Sequence, residues 1–201
     1  MTVERFRPDL ALIASLIPAG SRVLDLGCGN GDLMALLQGK GCTGTGVDVD
    51  PERVLACLRR GVDVIELDLD TQLGEFADDS YDFVVLSRTL QTVHKPRAVL
   101  TEMGRIALHS VVSMPNFAHW RNRFRLLRGR MPMSKDLPYR WYDTPNLHHT
   151  SLPDLEPLFA MLGMVVERRI PLDADGHPHR LGNFAANLAA SSSLYLLHTE
   201  R

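Results

Sequence analysis

The sequence predicts an α/β fold, a doubly wound and mostly parallel sheet with helices on both faces. Three observations lead to that expectation. Short apolar runs alternate with amphipathic helical segments from residue 8 to residue 114. One run, Val23 to Leu26, ends in three glycines at alternate positions, Gly27, Gly29 and Gly31, and then turns helical. Acidic residues stand where the predicted strands end, and in open sheets of this kind a ligand binds beyond those carboxyl ends.

The elements follow in order. Pro8 to Ile17 places Leu10, Ile13, Ala14 and Ile17 at helical spacing, with Pro early, where its missing amide costs little. Val23 to Leu26 is the first strand, and Leu33, Leu36 and Leu37 line the helix after the glycines. Thr43 to Val47 is strand two, and Asp50-Pro51-Glu52 opens a helix to Arg60 with Asp50 as its cap. Val62 to Leu67 is strand three and Tyr81 to Leu86 strand four, an unbroken apolar run suited to burial on both faces. His94 to Leu108 is a helix, His109 to Met114 strand five and Pro153 to Leu162 a helix. Met164 to Pro171 and Ser193 to Thr199 are strands six and seven, expected as an antiparallel pair at the sheet edge. The whole chain, 1–201, is read as one domain with an Arg- and aromatic-rich insertion at 115–150.

The glycine loop narrows the ligand. A dinucleotide fingerprint GxGxxG requires its third glycine at position 32, where this chain has Asp32. The string present is Asp25 followed by GxGxG, which resembles motif I of class I S-adenosylmethionine (SAM) methyltransferases. An acidic residue at the strand end suits a cationic ligand group such as an ammonium. Asp48 lies 17 positions past Gly31, close to the ~20 expected of an acid that accepts both ribose hydroxyls at the end of strand two. In the resembled class the next strand end supplies adenine contacts, which implies a carboxylate role for Asp68 and a backbone role for Leu69. The expected cofactor-binding set is Asp25, Gly27, Cys28, Gly29, Gly31, Asp48, Val49, Asp68, Leu69 and Ser87.

Strand four ends in Ser87-Arg88-Thr89-Leu90-Gln91. The Asn/Asp-Pro-Pro-aromatic string of adenine amino methylation and the Pro-Cys of cytosine methylation are both missing, and Ser87 replaces the Asp of metal-dependent catechol-type enzymes.

The insertion holds both tryptophans, the arginines 121, 123, 125, 128 and 130, and the string Pro138 to Asn146. Arg with aromatics is the composition of binding hot spots. Asn116, His119, Trp120, Trp141, Tyr142 and Asp143 are the candidate substrate or partner residues, with Tyr142, His119 or His148 as a general base if methyl transfer needs one. The plainer alternative is a basic helix packing Phe124, Leu127 and Met131 on the core.

Val111 to Trp120, Gly129-Arg130-Met131-Pro132 and Leu137 to His148 together resemble the distinguishing strings of the bacterial methionine biosynthesis MetW family, and with motif I the similarity runs from about residue 5 to 170. The resemblance implies a Rossmann-like class I methyltransferase fold, a mostly parallel seven-stranded sheet with an antiparallel edge strand. It also implies SAM or S-adenosylhomocysteine as ligand, and homoserine O-acetyltransferase as the partner that the protein supports or regulates. The alternative is a SAM-dependent methyltransferase acting on a small-molecule acceptor. An oligomer or hetero-complex is compatible with either.

Composition sets the remaining expectations. Lys and Arg number 22 against 24 Asp and Glu, a net charge of −2, so no global basic field calls for nucleic acid. Cys28, Cys42 and Cys57 form an odd set without metal-ligand spacing, which points to reduced thiols in a cytoplasm. Glu4, Arg5, Arg7 and Asp9 do not make a signal peptide, and no apolar run approaches the ~18 residues of a membrane span. His148-His149 and His177-Pro178-His179 lack a Cys or carboxylate at ligand spacing, so no metal is expected.

Overall fold

A computed structural model of the protein describes residues 7–180 and 183–200, the side chains of residues 183 and 184 excepted. Glu4 and Arg5, on which the leader argument rests, lie outside the described residues, as do residues 181 and 182. The elements run α1 (Pro8–Leu16), β1 (Arg22–Leu26), α2 (Asp32–Gln38), β2 (Thr43–Asp48), α3 (Pro51–Arg59), β3 (Val64–Glu66) and β4 (Phe83–Ser87). They continue through α4 (Pro96–Ile106), β5 (His109–Pro115), α5 (Trp120–Leu127), α6 (Leu152–Met161), β6 (Met164–Leu172), α7 (Asn183–Ala189) and β7 (Ser192–Thr199).

The seven strands form one sheet in the order β3-β2-β1-β4-β5-β7-β6. The five strands from β3 to β5 run parallel, and β7 pairs antiparallel with both β5 and β6, giving the expected pair at that edge. This is the Rossmann-like class I methyltransferase fold. The chain reverses its winding direction between β1 and β4, so the crevice beyond those two strands is the switch point where such sheets bind ligands.

Period-two alternation in the strands sorts the core onto the two faces. Val23, Val85 and Val111 face Ile13 of α1 and Ile17 just beyond it, Met34 and Leu37 of α2, and Cys57 of α3. Leu24, Leu86 and Val112 face Leu100 and Met103 of α4, Phe159 of α6 and Ala186 of α7. Each fully buried Leu, Ile or Met contributes roughly 1.5–3 kcal/mol relative to exposure, which fixes the register against a one-residue slip.

The boundaries shift where backbone groups find other partners. Strand three is shorter than the apolar run, because the Val62 amide closes α3 on the Cys57 carbonyl at 3.1 Å. Strand four starts at Phe83, since the Tyr81 amide bonds Ile106 and the Asp82 carboxylate takes the Arg22 backbone amide and guanidinium. Helix α4 starts at Pro96, not His94. The Asp70 carboxylate accepts the amides of His94 at 2.9 Å and Lys95 at 2.7 Å and caps the helix from across a loop. Asp50 caps α3 as expected, accepting the Glu52 amide at 2.9 Å. Helix α7 is an element the sequence pattern did not reveal.

Candidate functional site

The site begins with the loop between β1 and α2. Gly27 and Cys28 both donate their amides to the Val47 carbonyl, at 2.8 and 2.9 Å, which fastens the loop to β2. The glycines divide their work. A Cβ on Gly27 would stand 2.5 Å from the Thr89 hydroxyl, so this position is small because the β4–α4 loop presses on it. Gly29, at φ +57°, would meet nothing within 4 Å, and its open side lines a cavity. Cys28 packs its thiol beneath the loop, 3.9 Å from that of Cys57, and burial holds it far above the ordinary thiol range. All three cysteines are free and buried.

Two adjoining cavities lie at the strand ends. The first, about 310 Å³, is lined by Arg7, Asp25, Gly29, Asn30, Ser87 and Arg88 among others. The second, about 360 Å³, is lined by Asp48, Val49, Asp68, Leu69, Thr92, Val93, Tyr139 and Asn146 among others. Both touch Gly27, Arg53, Arg88 and Thr89, so they are two halves of one groove over the switch point. Each is within the size range of small-molecule sites, roughly 300–1,000 Å³.

The electrostatics of the first half centre on Asp25. It is 3% exposed, and burial pushes its carboxyl up to about 7, with Arg7 pulling down and Asp48 pushing up. A buried acid held near neutrality beside an open cavity is suited to a cationic ligand group. Arg7, which no sequence motif marks, also lines this cavity. Its guanidinium donates to Ser87 Oγ at 2.9 Å and grips Asp9 with two bonds of 3.0 and 2.9 Å. It offers the first cavity a cation where an anionic ligand group could sit. In sequence it looked like one of several scattered charges near the N-terminus.

In the second half, Asp48 is 3% exposed and its oxygens accept the Gly29 amide at 2.9 Å and the Asp50 amide at 3.0 Å. It braces the glycine loop as well as lining the cavity, and Arg53 Nη1 stands 3.6 Å from its Oδ2. Asp68 is committed to its own turn, Oδ1 taking the Asp70 amide and Oδ2 the Thr71 hydroxyl. Val49 is 66% exposed at the rim, and with half-buried Leu69 and buried Val93 it gives this cavity an apolar wall.

A buried ionic chain ties the groove to the insertion. Asp9, held by Arg7, also lies 3.3 Å from Arg88 Nε, and Arg88 Nη2 lies 3.0 Å from Asp136. Arg88 adopts φ +55°, a left-handed conformation for a non-glycine residue at the mouth of both cavities. Burial raises the Asp136 carboxyl, and Arg88 opposes the rise. No local pattern marks Asp9, Arg88 and Asp136 as neighbours.

The insertion corrects several expectations. Asn116 is 1% exposed; its amide donates to the carbonyls of Asn187 and Ala190, both at 2.9 Å, and its Oδ1 accepts the Ala118 amide. It is a strut anchoring α7, with its amide committed to the protein. His119 is buried as the cap of α5, accepting the Arg121 amide on Nδ1 at 3.3 Å, and burial lowers its pKa. It faces neither half of the groove. Tyr142 is 56% exposed with its hydroxyl accepting from Arg140 at 2.6 Å, and His148 contributes a backbone bond to Gln91. None of these three base candidates lines either half of the groove. The packed-helix alternative fails as well, since Phe124, Leu127 and Met131 point outward. Trp120 and Trp141 are also exposed, and Arg128 sits 4.2 Å over the Phe124 ring. Asp143 is exposed beside them. Trp141 and Tyr139 contribute to a third cavity of about 100 Å³, and Tyr139 also lines the second half of the groove.

The family model described as "Methionine biosynthesis protein MetW" matches residues 7–197. The chain belongs to the MetW family. A relative in Rhodopirellula baltica, the bifunctional methionine biosynthesis protein MetXA/MetW, is 36% identical over 203 residues, which cover 96% of this chain. The chain spans about a third of that relative's length, 33%. Solved structures share the fold. A SAM-dependent methyltransferase from Archaeoglobus fulgidus superposes with TM-score 0.69 at 16% identity, covering 98% of this chain and 97% of the other. One from Mesorhizobium loti gives 0.70 at 17% identity, covering 94% and 96%. The [4+2]-cyclase SpnF gives 0.67 at 16% identity, covering 94% and 80%, so within this fold chemistry is not fixed by architecture. Among the described residues, no helix of this MetW-family chain is long and apolar enough to cross a membrane.

Proposed function

We propose that this chain binds SAM in the groove over the switch point and, in methionine biosynthesis, acts as a SAM-responsive accessory to homoserine O-acetyltransferase. The observation that carries the ligand half is the match of charge to position along the groove. Buried Asp25 faces the open side of Gly29 beside the Arg7 cation, which suits the ammonium and carboxylate of an amino acid. Asp48 then suits a ribose diol, and the Val49, Leu69 and Val93 wall suits a flat base. Of the residues expected to hold the cofactor, all but Gly31 line this groove, which supports the reading. When bound, SAM would supply its own electrophilic methyl group; the residues here bind and orient it.

One fact supports the accessory half: the relative named MetXA/MetW carries both names on one chain. For SAM to act as a signal it must favour one state of the complex over another. The test combines calorimetry of SAM binding with an assay of the acetyltransferase, with and without this protein, across SAM concentrations. Saturable binding and a SAM-dependent change in acetyltransferase activity are expected. Binding without any effect on the enzyme would overturn the accessory role, and no binding would overturn the ligand assignment.

A second reading, methyl transfer to a small molecule, is favoured by one feature: Tyr139 is shared between the groove and the third cavity, so an acceptor could lie beside the ligand. Formation of S-adenosylhomocysteine with a candidate metabolite would establish it.

A further inference from the structure

Far from the groove, three potential metal ligands meet on adjacent strands. His109 opens β5, and His198 of β7 is its direct cross-strand partner. On the other side of β7, His198 pairs with Val165 of β6, and the register breaks between Val166 and Arg168, leaving Glu167 in a bulge. One ligand atom from each of His109, Glu167 and His198 lies within 4.8 Å of the other two. Both histidines are half-buried and Glu167 is exposed, so the cluster is walled on the protein side and open to water on the other.

We propose that His109, Glu167 and His198 form a binding site for a divalent transition ion, zinc in particular, completed by water. The donor set decides the class. Two imidazoles and one carboxylate suit zinc and its neighbours, whereas calcium and magnesium require oxygen ligands throughout. Zinc bonds of about 2.0–2.2 Å place tetrahedral ligands roughly 3.3 Å apart, so separations of no more than 4.8 Å need to close by at most about 1.5 Å, within the reach of side-chain rotation. The strands hold the histidines for this: directly opposed residues of an antiparallel pair keep their Cβ atoms about 4.5–5.5 Å apart. His109 also stacks on Phe83, with ring centroids 5.1 Å apart, which limits its rotation. No hydrogen bond or ion pair of the Glu167 side chain is found among the described residues, and the side chain is exposed, leaving its carboxylate free to coordinate. Bulges commonly re-aim a side chain in this way.

The placement implies a consequence. His109 is the first residue of β5, so the site lies at the end of the sheet opposite the groove. A bound ion would join β5, β7 and the edge strand β6, and so stabilise the folded state by linkage. The pairs His148-His149 and His177/His179 are not part of it.

The test uses the untagged full chain freed of metal with a chelator. Calorimetry with zinc is expected to show one equivalent bound at micromolar concentration or tighter, and cobalt is expected to give visible bands of a four- or five-coordinate site. Zinc should raise the melting temperature. Glu167→Gln and His198→Ala should each weaken zinc binding at least tenfold and remove most of the melting shift. Glu167→Gln alters an exposed group, so its metal-free melting temperature should match the parent. Absence of binding below about millimolar zinc, or binding that both substitutions leave unchanged, would overturn the proposal.

Discussion

At the scale of single residues, Asp25 has the clearest measurable signature. Its carboxyl is held near 7 in the folded chain against an ordinary 3.8, chiefly by burial. The acid is therefore protonated in the fold and ionised in the unfolded chain between roughly pH 4 and 7. Stability should fall as pH rises through that window, by an amount on the order of a few kcal/mol, and stay low above 7. Asp25→Asn should flatten this dependence and raise the melting temperature at pH 8. The ligand behaves oppositely. A bound ammonium favours ionised Asp25, so SAM affinity should drop by up to about tenfold per pH unit below 7, with proton release on binding near neutrality. Calorimetry in buffers of different ionisation enthalpy checks both, and the asparagine variant should show neither effect.

At the scale of elements, the glycine loop separates packing from binding. Gly27→Ala would press a methyl against Thr89, 2.5 Å from its hydroxyl, in a conformation already unfavourable for an L side chain. It should lose about 1–3 kcal/mol of stability, as overpacking does. Gly29→Ala carries a similar φ penalty of about 1–2 kcal/mol, but its methyl enters the open cavity. It should therefore reduce SAM affinity by more than its loss of stability explains. Paired melting and binding titrations distinguish the two; equal binding defects would mean that the loop moves as a unit. Sequence placed these glycines after a strand, which was enough to name the motif. Which of them faces a neighbour and which faces the open cavity depends on where β4 returns, information the local string does not contain.

At the scale of the whole molecule, the Asp9–Arg88–Asp136 chain joins the first helix, the mouth of the groove and the insertion. Removing one member of a buried ionic set leaves charge uncompensated and typically costs about 3–5 kcal/mol. Asp9 retains Arg7, so Arg88→Ala should fall at or below the lower end of that range. The variant should also weaken the dependence of acetyltransferase activity on SAM if the insertion reports the state of the groove. Urea unfolding and the coupled assay measure the two parts. Retained coupling with lowered stability would make the chain a structural brace only.

The sequence by itself determined the α/β winding, the strand-end acids, the glycine loop and the family strings, because each is written in residues close together in the chain. Alternation and helical spacing are local, and burial enforces them wherever the sheet closes. Asp50 caps α3 where its sequence predicts, for the same reason. The roles in the insertion were not legible there, since Asn116 and His119 owe their burial to α7 and to the return of β7. Tertiary structure alone decided that Arg7 meets Asp25 in one cavity and that Asp136 reaches Arg88. It alone placed His109, Glu167 and His198 together at one end of the sheet. Those contacts join segments distant in sequence, and only the packing of the sheet sets the distances on which their electrostatics and coordination depend.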